Sequence, residues 1–125
     1  MKPMLIEGLY TIESFEPTGQ QVAAIVILNK DHEVFEGHFP GNPILPGVCS
    51  IQIIKELTEK ALHKELFLSM VSNVKFMAII NPEKNKTLHF ALDIAEVDGL
   101  IKVKNSVHFE ETLALKLNAT FKMMQ

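Results

Sequence analysis

His38-Phe39-Pro40-Gly41-Asn42-Pro43-Ile44-Leu45-Pro46-Gly47 runs directly into Val48-Cys49-Ser50-Ile51-Gln52-Ile53-Ile54-Lys55-Glu56-Leu57, so a stretch with three prolines and two glycines ends where a helical period of apolar residues begins. Each proline fixes a backbone dihedral and removes an amide donor, and each glycine permits close backbone approach. A surface loop gains little from such stiffness unless it holds something in place. The loop reads as a site, and the helix after it as the element on which the site is built.

From Val48 to about Lys64 the apolar residues Val48, Ile51, Ile54, Leu57, Ala61 and Leu62 return at helical spacing, and Ile53 widens the stripe. This predicts one long, mostly enclosed helix. Gln52, Glu56, Glu59 and His63 share its other side, where ordinary solvation is expected. Upstream, Val22 to Leu28 is a continuous apolar run, the pattern of a strand covered on both faces. Downstream the period changes to two. Leu88, Phe90, Leu92 and Ile94 alternate with polar or small residues up to a turn at Asp98-Gly99, and Ile101, Val103, Val107 and Phe109 continue on odd positions. A last strand runs through Leu113, Leu115, Leu117, Ala119, Phe121 and Met123, with Lys116, Asn118, Thr120 and Lys122 on its other face. Phe67 to Ile80 is a further strand candidate, ended by Asn81-Pro82. One enclosed helix and five or six antiparallel strands imply an α+β domain in which a curved sheet covers the helix.

At 125 residues the chain has the size of one domain, spanning 1–125, with no linker or repeat. Twelve basic against fifteen acidic residues give a net charge of -3 with no basic block, which excludes an electrostatic nucleic-acid binder. No apolar window approaches the length of a membrane span, and the first eight residues lack a signal-peptide pattern, so a cytoplasmic protein is expected. Cys49 is the single cysteine, which excludes an internal disulfide and a thiolate metal cluster; in its apolar setting it reads as a small buried hydrophobe.

Fourteen residues beyond His38, near the start of the helix, lies Gln52. His38-Phe39-Pro40-Gly41, a short spacer, Pro46-Gly47 and the helix position at 52 together resemble the FabA/FabZ group of 3-hydroxyacyl-acyl-carrier-protein dehydratases. The likeness is sharpest over residues 37 to 57, and Asn73-Val74-Lys75-Phe76 matches a basic-aromatic strand segment of the family. The family carries glutamate or aspartate where this chain has Gln52. The resemblance implies the hotdog fold, with the sheet wrapped around a central helix. It also implies dimers or trimers of dimers, in which each site takes the histidine of one subunit and the helix acid of the other. No cofactor is implied; the substrate is carried on the phosphopantetheine of an acyl carrier protein.

Dehydration of a 3-hydroxyacyl thioester needs a base for the proton at C2 and a donor for the hydroxyl leaving C3. A histidine, with a reference pKa of about 6.5, suits the first role, and the resemblance gives it to His38. It assigns the thioester carbonyl to the amide of Gly47, where a helix start points unpaired N–H groups at developing negative charge. It assigns orientation of the histidine to the carbonyl of Ile44, and makes Phe39, Pro40, Gly41 and Pro46 the frame of the site loop. Gln52 cannot transfer a proton as a carboxyl does, though its amide can donate a hydrogen bond to the hydroxyl or hold a water. Glu56, one turn further on the same face, is the candidate substitute acid.

Three functions follow for test. The first is a dehydratase-like protein that dehydrates or binds 3-hydroxyacyl thioesters in fatty-acid or related acyl synthesis. The second is a catalytically impaired acyl-carrier-protein-binding or assembly subunit, including a heterodimer whose active partner supplies the acid. The third is a hotdog acyl thioesterase. An acidic carrier protein would need a local basic patch, for which Lys75 and Lys84 are the first candidates, with Lys86, Lys102 and Lys104. His32, His63, His89 and His108 have no metal-ligand spacing and read as surface or strand-face residues; no metal is expected. Met70 and Met77 read as gap fillers or acyl-tunnel lining.

Overall fold

Alternation of side chains decides the architecture. In the strand Thr87–Val97, Leu88, Phe90, Leu92 and Ile94 are buried while His89, Ala91 and Asp93 are exposed, which leaves one face for the core and one for solvent. The computed structural model describes residues 6–37 and 41–124. Its strands are β1 (Tyr10–Thr18), β2 (Gln21–Leu28), β3 (Leu66–Phe76), β4 (Thr87–Val97), β5 (Leu100–Phe109) and β6 (Thr112–Met123). Its helices are α1 (Val34–Gly37) and α2 (Gly47–Leu62). All six strands join one antiparallel sheet in the order β1-β2-β4-β5-β6-β3, curved around α2. This is the α+β hotdog arrangement that the resemblance implied.

Helix α2 meets the sheet through Cys49, Ile53, Ile54 and Leu57, all buried against Val26, Leu88, Phe90, Leu115 and Phe121 in one core. Burial of each such side chain is worth roughly 1.5–3 kcal/mol, so the helix is held by its packed face more than by its own propensity. The turn between β4 and β5 uses Asp98 and Gly99, both at positive φ (53° and 80°), the backbone that a two-residue hairpin turn requires.

Several expectations are corrected. The run Val22–Leu28 is a strand, but only Val22, Ala24, Val26 and Leu28 are buried. Ala23, Ile25 and Ile27 lie on the opposite face, because α2 covers one side of the sheet only. Strand β3 ends at Phe76 rather than Ile80; beyond it the amides of Met77 and Ala78 both turn to the carbonyl of Ala114. Val48 does not belong to the enclosed stripe and is 67% exposed, since the buried face of α2 points the other way. Met70 and Met77 are exposed and fill no core gap. The odd-position pattern of β5 contains Asn105, buried in register between Leu92 and Leu117. Strand β1, which has no apolar run and contains Pro17, was not legible as a strand. It is an edge strand with a bulge between Ile12 and Ser14, where pairing on one side suffices.

Candidate active site

His38, Phe39 and Pro40 lie outside the described residues. The segments on either side of them are fixed by the fold. Before them, His32 is buried rather than on the surface. Its Nδ1 accepts the Val34 amide at 3.0 Å and its Nε2 meets the Glu7 carbonyl at 2.9 Å. The ring therefore carries its proton on Nε2 and caps α1, the helical turn that leads into the loop. After them, Gly41 has φ +75°, a left-handed backbone that suits glycine. Leu45 is buried, and its amide donates to the Ile80 carbonyl at 2.9 Å, which ties the loop to the chain beyond β3.

Pro46 is the N-cap of α2, in extended conformation (φ -63°, ψ 144°) and without a side-chain cap bond. The first intrahelical acceptor, the Pro46 carbonyl, takes Cys49 at 3.0 Å and Ser50 at 3.3 Å. The preceding amides of Gly47 and Val48 have no place in that ladder, so the helix start presents donors suited to an acyl oxygen. Gly47 lies under Phe76 of β3. A Cβ built there would be 2.7 Å from Phe76 Cζ and 3.0 Å from Cε1, so a side chain at 47 would collide with the ring. The loop, the helix start and the end of β3 thus meet at one point. Cys49 is buried beside it, and desolvation raises its thiol pKa, which suits packing and not nucleophilic attack.

Gln52 lies one turn further along α2 and is half-buried. Its Nε2 donates to Glu56 Oε2 at 3.1 Å, and Tyr10 of β1 donates its hydroxyl to Glu56 Oε1 at 2.7 Å. Both carboxylate oxygens of Glu56 therefore act as acceptors. That arrangement engages Glu56 with Gln52 itself and is not that of a proton donor aimed at substrate. Burial, together with the hydrogen bond to and charge of Glu56, pushes the Tyr10 pKa upward and keeps its hydroxyl protonated. Tyr10 was not singled out in the sequence, because no spacing links residue 10 to residue 56. Glu59, expected on the solvated side, is buried: Lys55 Nζ is 3.2 Å away and the Leu66 amide donates to it at 2.8 Å, where the chain enters β3.

Five of the twelve basic residues, Lys75, Lys102, Lys104, Lys116 and Lys122, are exposed on the helix-free face of the neighbouring strands β5, β6 and β3. Lys75, Lys104 and Lys116 line a trough of about 680 Å³ there, floored by Ala23, Ala91 and Ser106. Lys84, in the turn after Asn81, does not line it. His63, His89 and His108 join no cluster of three or more potential metal ligands among the described residues, and no described helix is long and apolar enough to cross a membrane.

A model of the ApeI-like family, described as ApeI dehydratase, matches residues 14–118. The 3-hydroxyacyl-(acyl-carrier-protein) dehydratase FabZ of Lactobacillus helveticus is 29% identical over 110 residues, 82% of this chain and 74% of that protein. The enzyme of the same name from Clostridium acetobutylicum is 30% identical over 104 residues, 78% of this chain and 70% of that one. Among solved structures, the dehydratase heterocomplex ApeI:P from Xenorhabdus doucetiae superposes with a TM-score of 0.69, at 23% identity and full coverage of both chains. Thioesterase HI1161 from Haemophilus influenzae superposes at 0.66 with 13% identity, covering 96% of this chain and 82% of that one, a likeness of fold alone.

Proposed function

The chain belongs to the ApeI-like dehydratase family, and on that premise we propose that it handles 3-hydroxyacyl groups carried as thioesters on the phosphopantetheine of an acyl carrier protein. The observation that supports this most is the junction of the proline-framed loop, the uncapped start of α2 at Gly47 and the Phe76 ring over it. In this reading the Gly47 amide takes the thioester carbonyl, the Ile44 carbonyl orients His38, and Phe39, Pro40, Gly41 and Pro46 hold the loop. His38 removes the proton at C2; the C3–O bond breaks, and the hydroxyl leaves as water once it has gained a proton. Gln52 receives the 3-hydroxyl.

The site is completed by a second subunit. Among the described residues strand β3 is an open edge of the sheet, and it carries exposed Phe67, Leu68, Met70, Val74 and Phe76. An apolar, unpaired edge is a template for strand pairing with another chain. Pairing of two copies here extends the sheet and gathers the two helix starts, so that His38 of one copy approaches Gln52 of the other.

The test is incubation with 3-hydroxyacyl carrier-protein substrates, with mass spectrometry for loss of water, or for gain of water by the enoyl product. Turnover no higher than that of a His38→Ala control overturns the enzymatic reading. Gln52→Glu should raise the rate, within the ~10²- to 10⁴-fold range of a general acid.

A second reading is a subunit that pairs with an active relative supplying the acid. It is favoured by the engagement of Gln52 with Glu56, which leaves no carboxyl free at this position, and by the likeness in fold to a dehydratase heterocomplex. Co-expression with a FabZ-type dehydratase, followed by analysis of the purified species, separates this case from the homodimer.

A further inference from the structure

We propose that Glu56 and Tyr10 are positioning residues that lock the Gln52 amide in one orientation, so that it presents its carbonyl oxygen as an acceptor for the 3-hydroxyl of the substrate. This rests on the reading of the chain as a protein that handles 3-hydroxyacyl thioesters.

An unconstrained glutamine amide can turn over, exchanging its donor and acceptor ends at little cost. Here one neighbour removes that choice. Glu56 Oε2 lies 3.1 Å from the Gln52 amide, and a carboxylate accepts only, so the end facing it must be Nε2. The planar amide then sends Oε1 away from Glu56. Turning the amide over would set Oε1 against Oε2, two acceptors with no proton between them.

Glu56 is itself held in place. Tyr10 Oη donates to its other oxygen at 2.7 Å from the far edge strand β1, forty-six residues away in sequence. The carboxylate is thus gripped between β1 and the helix, and cannot swing away without leaving the tyrosine hydroxyl, half-buried, unpaired. The upward shift of the Tyr10 pKa keeps that hydroxyl a donor. Gln52 and Glu56 are one turn apart on one face, where side chains meet. The exposed Val48, one turn before Gln52, marks the open side of the helix that a ligand or second subunit can reach.

The consequence is chemical. A hydroxyl that donates to Oε1 is bound and oriented, but receives no proton. The natural chain should therefore recognise the 3-hydroxyl well and expel it slowly.

The experiment measures dissociation constants of the purified protein for the pantetheine thioesters of 3-hydroxyoctanoate and octanoate, which differ by the hydroxyl alone. Wild type should favour the hydroxylated ligand roughly five- to tenfold, the increment of one net hydrogen bond. Glu56→Gln frees the amide and should abolish that preference, and Tyr10→Phe should reduce it. In both variants affinity for the octanoyl thioester should stay at the wild-type level, whereas a merely structural role would weaken both ligands together. Preservation of the preference in both variants, or a parallel loss of affinity for both ligands, overturns the positioning role and leaves the family reading intact. Binding of neither thioester by wild type overturns the 3-hydroxyacyl reading, and this inference with it.

Discussion

The ring of Phe76 covers Gly47 so closely that a Cβ on the glycine would lie 2.7 Å from Cζ, which couples the end of β3 to the first turn of the site helix. Phe76 is 61% exposed and can swing, so Gly47→Ala should fold. In a Phe76→Ala background the same change should stabilise by about 0.5–1 kcal/mol, as alanine restricts the unfolded chain more than glycine. In wild type the gain should vanish or reverse. Urea denaturation of the four proteins gives the coupling; equal effects of Gly47→Ala in both backgrounds would show that the ring does not constrain the site.

Asn105 is buried on the core face of β5, and its amide atoms meet no hydrogen-bond partner among the described residues. Its register neighbours are Leu92 and Leu117. Asn105→Val replaces an unpaired amide with a strand-forming apolar side chain and should raise stability by about 1–3 kcal/mol. A lower urea midpoint for the variant would mean that the amide is satisfied in solution.

Stability should fall in alkali. Burial raises the Cys49 pKa above its ordinary 9.0, and burial with Glu56 raises Tyr10 above 10.0. The unfolded chain therefore releases these protons at lower pH than the folded one, and the stabilisation, complete below pH 9, is lost as pH rises. Cys49→Ala should flatten the decline just above pH 9. Parallel decline of variant and wild type in urea titrations across this range would exclude the thiol as its cause.

Association should depend on β3. Val74→Glu places charge on the exposed apolar edge and should shift sedimentation from dimer to monomer at micromolar concentration. A surface-matched control, Thr11→Glu on the opposite edge strand, should not. Unchanged sedimentation of the Val74 variant would remove β3 from the interface.

Carrier-protein docking should follow the lysines that the fold gathers. Lys75 pairs directly with Lys116 across β3 and β6, a like-charge juxtaposition that an acidic partner would relieve. The double variant Lys75→Glu/Lys116→Glu should weaken carrier binding at least several-fold, most at low salt, and Lys84→Glu far less. If Lys84→Glu has the larger effect, docking occurs at the turn after β3 instead.

The period of the chain by itself determined the long helix and the alternating strands of the second half, but not the edge strand β1. Alternation at 88–94 and 113–123 and the repeat from Ile51 to Leu62 report which side of each element meets the core, and burial enforces that locally. The run from His38 to Gly47 reads as a candidate site because prolines and glycines act on the backbone where they stand. What the period could not convey was contact between distant segments. Tyr10 reaches Glu56, Phe76 covers Gly47, and Glu59 is drawn inward by the Leu66 amide, all through curvature of the sheet. Val48 and Val22–Leu28 misled for a related reason: an apolar side chain needs a surface to pack on, and whether one exists is decided by the single helix-bearing face of the sheet and by the edge it leaves open.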